Sequence, residues 1–280
     1  MINALCIDLE PWYSAELVKR CSPEIKNDED DQVTEAVAPI LNLLDKYNVK
    51  ATFAVLGIVA ERHPQVVRDI FDRGHEIASH SYSHKMLQDL GQEAFEDEVK
   101  KSVELLSSIT GEKPKGFRAP SVSLNNSTKW ALPVLQKYNF KWDASICPAK
   151  TILYGEPGAP SYPYRPSLDD ITKEDTNSGI IEFPLTTLKF GVSLPVAGGF
   201  YFRVSPLWFL KFAIKRVNKS RPANVYIHPW ETYHNTPRVK HMPIFYRFVS
   251  YYGIDSMLSK LEKIIKEFEF KPVCEVLGIA

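Results

Sequence analysis

Short apolar runs that stop abruptly at titratable residues constrain this chain more than any other feature. Residues 2–7 end in Asp8-Leu9-Glu10, and residues 76–79 end in His80-Ser81-Tyr82-Ser83-His84. Residues 115–117 end in Arg118-Ala119-Pro120, 140–142 in Asp143, and 223–227 in His228-Pro229-Trp230-Glu231. Another run, 51–56, stops at Gly57, and 180–183 and 272–276 have the same character. Runs of this length bounded by turn residues read as buried strands. Between them the apolar residues fall at helical spacing over 33–47, 64–72, 93–109, 126–138, 206–218 and 255–268. Pro64 near the start of one helix and Gly74 just past its end fit helix punctuation.

Repeated strand–helix units imply a parallel sheet. Six to eight of them predict an α/β fold: a distorted (β/α) barrel of about seven parallel strands, as one domain over residues 1–280. The stretch 22–31 reads as a polar loop. Residues 148–178, rich in Pro, Gly, Tyr and Asp, read as a long surface excursion, and such loops are usually functional. Residues 232–280 form an aromatic-rich C-terminal part.

Composition narrows the partners. Lys+Arg and Asp+Glu are equal at 34 each, so net charge offers no reason to expect nucleic acid. Four scattered cysteines without Cys-x-x-Cys spacing read as buried thiols of a reducing compartment. The N-terminal residues have no basic region followed by an apolar core, and no run reaches membrane-spanning length. A cytoplasmic location is the expectation.

In a parallel barrel the C-terminal strand ends share one face, where such enzymes build their sites. Titratable groups gathered at one mouth are costly unless paired or bound to metal. Four residues make about one helical turn, so His80 and His84 are expected to point into one pocket as a pair of metal ligands.

Taken in order, Asp8-x-Glu10, His80-Ser-x-x-His84, Arg118-x-Pro120, Asp143 and His228 resemble the five motifs of the NodB-like polysaccharide deacetylases, the family 4 carbohydrate esterases. Gly198-Gly199-Phe200-Tyr201-Phe202-Arg203 and His228-Pro229-Trp230-Glu231 further resemble a subgroup found with exopolysaccharide and exosortase loci. The resemblance implies a metal-dependent hydrolase that removes N-acetyl groups from an amino sugar in a polysaccharide or glycan precursor. It implies Glu10, His80 and His84 as ligands of a divalent metal, zinc first, with Co2+, Ni2+ or Mn2+ as alternatives. Asp8 would be the base and His228 the acid, with Arg118 holding Asp8 and Asp143 holding His228. Trp12, Pro120, Tyr201 and Trp230 would contact the sugar, although these aromatics equally suit closing the barrel. Whether the carbohydrate is nucleotide-linked, lipid-linked or polymeric stays open, as does the oligomeric state.

One departure stands out. Most relatives carry two adjacent aspartates at the first motif, whereas here the acids are two apart. Residues two apart on a strand face the same side, so both can enter the mouth, which leaves the division of roles between Asp8 and Glu10 open. Asp143 also suits an N-cap, and His228 suits a satisfied core histidine. The stripe Lys211, Lys215 and Lys219 among Trp208, Phe209 and Phe212 suits either the wet face of a buried helix or a peripheral membrane contact. Three other functions remain in view: an amidohydrolase acting on a non-sugar C–N bond, a non-haem iron oxygenase with two histidines and a carboxylate, and a non-catalytic glycan-binding relative.

Overall fold

The computed structural model describes residues 1–25, 31–151 and 153–279. Half of the expected 22–31 loop (26–30) therefore lies outside the described residues. The strands are β1 (Asn3–Leu9), β2 (Thr52–Val55), β3 (Glu76–Ser79), β4 (Gly116–Phe117), β5 (Trp142–Asp143), β6 (Ile181–Glu182), β7 (Thr187–Phe190), β8 (Val192–Pro195), β9 (Asn224–Ile227) and β10 (Phe270–Lys271). A run of seven strands, β10-β1-β2-β3-β4-β5-β6, is joined by β9 on β1, and every pairing in this sheet is parallel. The expected α/β curled parallel sheet is therefore present. Strand β1 is buried along its whole length, as both faces of a central parallel strand are covered.

The two faces of β1 differ. Leu5, Ile7 and Leu9 join Phe53, Val55 and Ile77 in the outer core, packed on helices Val33–Lys46, Leu207–Val217 and Ile254–Ile265. Ala4 and Cys6 point the other way, with Ala54 and Ala78, into an interior filled by Trp142 and Tyr226. Asp8 and Glu10 continue this inward row, because side chains alternate with period two.

The sheet edges β6 and β9 meet through side chains rather than a ladder. Thr186 Oγ1 donates to Asn224 O (2.9 Å) and accepts from Asn224 N (2.7 Å), while Asn224 Nδ2 donates to Phe183 O (2.8 Å).

Three expectations change. Residues 148–178 are more than a surface excursion: Tyr164 N and O bond Glu182 O and N at 3.0 and 2.8 Å, covering the β6 edge. Ala159, Tyr164 and Ile171 are also buried in the second apolar core. The stretch 272–276 is a helical turn, Val273–Val276, and the strand is the preceding Phe270–Lys271; a Pro at the N-cap favours that entry to helix over continued pairing. The antiparallel hairpin β7–β8, turning at Gly191 with φ +72°, was not foreseen.

Candidate active site

Register decides which strand ends meet. Ile7 pairs Ile227, so the next residues, Asp8 and His228, lie level. One step on, Leu9 pairs Val55, Val55 pairs Ser79, and Ser79 pairs Phe117. The residues just beyond, Glu10, Leu56, His80 and Arg118, therefore form one rim. The side chains of Glu10, His80 and Arg118 enter a cavity of about 240 Å³ lined also by Tyr201, Tyr226, Trp230 and Glu231, whereas Leu56 joins the outer core.

Glu10, His80 and His84 are buried, and one ligand atom from each lies within 4.8 Å of the others. Glu10 Oε2 is 2.6 Å from His84 Nε2 and 3.6 Å from His80 Nε2, yet the oxygen has no hydrogen-bond donor. Three lone-pair donors thus converge without satisfying one another, which fits a cation between them. His80 Nδ1 meets Arg118 O at 2.8 Å; donating there leaves Nε2 free as a ligand. Lys19 Nζ donates to His84 O (2.7 Å) and sits 2.9 Å from His84 Nδ1. Metal binding at His84 Nε2 requires the tautomer protonated at Nδ1, in which Lys19 keeps only the carbonyl contact. Burial opposes charge on Glu10, but His84, His228 and His80 outweigh it and hold Glu10 well below the usual carboxylate range.

The histidine pair is not presented by a helical turn. Residues 81–85 form a bend in which Ser81 (φ 63°) and His84 (φ 58°) are left-handed, bringing the rings to 5.2 Å at 70°. Glu98, a residue the sequence reading passed over, ties this bend down: it accepts from Ser81 Oγ (2.6 Å), from Tyr82 N and Ser83 N (both 3.2 Å), and from the Ser83 hydroxyl.

Arg118 Nε lies 2.8 Å from Asp8 Oδ2, both groups buried, and its guanidinium carbon is 4.3 Å from the Tyr226 ring centre. Asp8 Oδ1 is buried without a hydrogen-bond partner among the described residues. His228 Nε2 stands 3.7 Å from both Asp8 Oδ2 and Glu10 Oε1.

The expected partnership of Asp143 with His228 is absent. Four strands separate β5 from β9 along the sheet. His228 Nδ1 instead meets Glu231 Oε2 at 2.7 Å, in a capping box where Glu231 also accepts from His228 N (3.2 Å). Glu231 Oε1 accepts from Arg203 Nε at 2.7 Å. Burial pulls the His228 pKa down, but Glu10, Glu231 and Asp8 together raise it to about 9. Asp143 accepts from the Ser145 hydroxyl, whose oxygen accepts from Ala119 N at 2.7 Å. Its role is thus to set the backbone that follows Arg118. Asp143 and Glu182 lie buried side by side, and desolvation raises both pKa values.

Of the aromatics and proline expected at the sugar, Tyr201 and Trp230 reach the cavity wall and Trp12 and Pro120 do not. Trp12 is buried against Tyr13, Leu17 and Trp230, and Pro120 opens a 3₁₀ turn. Trp230 Nε1 donates to Glu10 Oε1 (3.1 Å), so it also orients one of the three residues that could hold a metal. Glu231 was visible in the His-Pro-Trp-Glu string; its three-residue offset from His228 is the signal that could have marked the partnership.

Residues 29–142 match the family described as polysaccharide deacetylase, and residues 144–278 match a domain of unknown function, DUF3473. A peptidoglycan-N-acetylglucosamine deacetylase from Bacillus cereus is 38% identical over 104 residues, 37% of this chain and 38% of that protein. A peptidoglycan deacetylase from Helicobacter pylori is 36% identical over 107 residues, 38% of this chain and 36% of that protein. The chain thus matches less than two-fifths of these relatives' length. Among solved structures, a candidate polysaccharide deacetylase from Mycobacterium smegmatis aligns with TM-score 0.64 at 18% identity, covering 99% of this chain and 88% of that one. PuuE allantoinase aligns with TM-score 0.65 at 14% identity, covering 99% and 89%. The second matched region supplies β6, β9 and β10 to the same sheet, together with His228, Glu231 and Arg203. By these matches residues 29–142 are similar to polysaccharide deacetylases, and residues 144–278 to the domain of unknown function DUF3473.

Proposed function

We propose that this chain is a metal-dependent hydrolase that removes N-acetyl groups from an amino sugar of a polysaccharide or glycan precursor. The observation that carries the reading is the convergence on one cavity of three groups: Glu10 with His80 and His84, Asp8 with Arg118, and His228 with Glu231. Glu10, His80 and His84 would hold the divalent cation, and two imidazoles with a carboxylate are a ligand set that catalytic zinc uses. When bound, that cation supplies Lewis-acid polarisation of the acetamide carbonyl and a water of lowered pKa.

The chain's own residues supply the proton transfers. Asp8 accepts the proton of the attacking water through Oδ1, while Arg118 holds the carboxylate in place at Oδ2. His228, protonated at neutral pH and half-buried at the cavity wall, donates from Nε2 to the departing amine. Its Nδ1–H stays on Glu231, which fixes the ring. Tyr201 and Trp230 flank the sugar.

The test is acetate release from N-acetylated oligosaccharides, with non-sugar amides in the same panel. Activity is expected on the sugars, to fall on chelation, and to return with zinc. Chelator-resistant turnover would rule out the metal mechanism. Asp8→Asn should bind metal as the parent does and lose roughly 100-fold or more in turnover; an active variant would transfer the base role elsewhere.

A further inference from the structure

Although the whole chain is neutral, residues 187–252 contain ten Lys and Arg and a single acidic residue, Glu231. Glu231 is buried and paired with Arg203, so the surface of this stretch carries cations and no carboxylate of its own. Acids from elsewhere reach part of it. Glu267 meets Lys211 and Lys215 at 2.5 and 2.6 Å, and Asp255 faces Arg238 and His234. Lys189, Arg216, Lys219, Lys240 and Arg247 are exposed and have no ion pair among the described residues.

The same stretch holds nine of the twelve large apolar side chains exposed among the described residues. Four of them form one stripe. Helix Ile244–Tyr251 and the following Tyr252 present Ile244 (88% exposed), Phe245, Phe248 and Tyr252, at spacings that fall within about 100° of arc on a helix. Between them Arg247 also points to solvent. Phe245 and Tyr246 line the active-site cavity, so this helix is the rim of its mouth. The rim is fixed to the site from within: Arg203 donates to Tyr252 O (2.5 Å) and Val249 O (2.7 Å) while holding Glu231.

We infer that this face docks on an anionic lipid bilayer, with the apolar stripe at the headgroup–acyl boundary and the unpaired cations on the headgroup charge. An apolar stripe with basic flanks is the signature of interfacial helices, and each cation near an anionic surface contributes favourably. A second copy fits poorly as occupant, because two such faces would bring like charges together. The cavity mouth then opens at the bilayer surface. The glycan, on the function proposed above, is consequently one tethered to lipid.

The metal-loaded protein is mixed with phosphatidylcholine vesicles and with vesicles containing 30% phosphatidylglycerol, and bound protein is read after sedimentation. Binding to the anionic vesicles is expected, falling at least fivefold on neutral vesicles or in high salt. Ile244→Glu with Arg247→Glu should lower it at least tenfold while circular dichroism and acetate release from a soluble oligosaccharide stay at parent level. No binding to either vesicle, or parent-level binding by the double variant, would overturn the inference. So would a concentration-dependent dimer abolished by Ile244→Glu, which would make the stripe a self-association surface. Vesicle sedimentation and circular dichroism do not require turnover, so loss of the deacetylase reading leaves the lipid contact standing, and the reverse.

Discussion

Glu231 holds two cations at once, His228 on one oxygen and Arg203 on the other. Burial works against its charge, but His228 and Arg203 outweigh it and bring its pKa to about 2. The consequence is visible at His228, whose pKa of about 9 keeps the imidazolium intact between the free value near 6.5 and pH 9. A raised folded-state value means the associated stability is present at low pH and is lost as pH rises through 9. Glu231→Gln removes the nearest carboxylate at Nδ1. In the metal-free protein the His228 titration followed by NMR should move down by roughly one pH unit. In the loaded protein the alkaline limb of acetate release should move the same way; an unmoved limb would separate His228 from the acid role. Asp143 follows the same sign for a different cause. Its pKa is raised by desolvation beside Glu182, so the stability it contributes is present at low pH and lost as pH rises. Asp143→Asn mimics the protonated acid and should equal or exceed the parent in thermal stability at pH 8. Asp143→Ala removes the acceptor of Ser145 and should cost about 1–3 kcal/mol.

At the scale of elements, two glycines decide whether strands approach closely enough. A Cβ on Gly198 would stand 1.7 Å from the Tyr226 ring, and one on Gly116 would stand 1.9 Å from Trp142. Tyr226 carries Arg118 on its face, so the Gly-Gly-Phe-Tyr-Phe-Arg string is tied to Asp8 at one end, through Arg118, and to His228 at the other, through Arg203 and Glu231. Gly198→Ala is expected to cost about 1–3 kcal/mol by overpacking and to lower turnover further by displacing Arg118. Denaturant unfolding together with kinetics on the folded fraction separates the two effects. Most strands were legible because an apolar run ends where a charged one begins, and helix Pro64–Asp72 and β3 keep their expected bounds. The helix expected at 126–138 begins only at Ala131. Asn125 and Thr128 bond the local backbone instead, a competition that apolar spacing does not register. Tyr164 at the β6 edge was missed for a related reason: its pairing partner Glu182 lies far along the chain, and no local pattern marks it.

Across the whole molecule, the candidate metal group clips the end of β1 to the end of β3 and to the bend after it. A ligand that binds only the folded state stabilises by mass action, about 2.7 kcal/mol at one hundred times its Kd. Zinc at that excess should therefore raise the melting temperature by roughly 5 °C or more in a chain of this size, and Glu10→Gln should abolish the rise. An equal rise in the variant would place the ion elsewhere. The apolar order of the strands, the inward row Asp8 and Glu10, and the two histidines follow from sequence, because alternation and strand ends are local properties of the backbone. Which carboxylate stands behind His228 does not. Asp143 was the partner the resemblance implied, yet it accepts from Ser145 instead, and Glu231, three residues along the chain from His228, fills the place. Contacts between distant strands depend on register and closure, which only the folded sheet supplies.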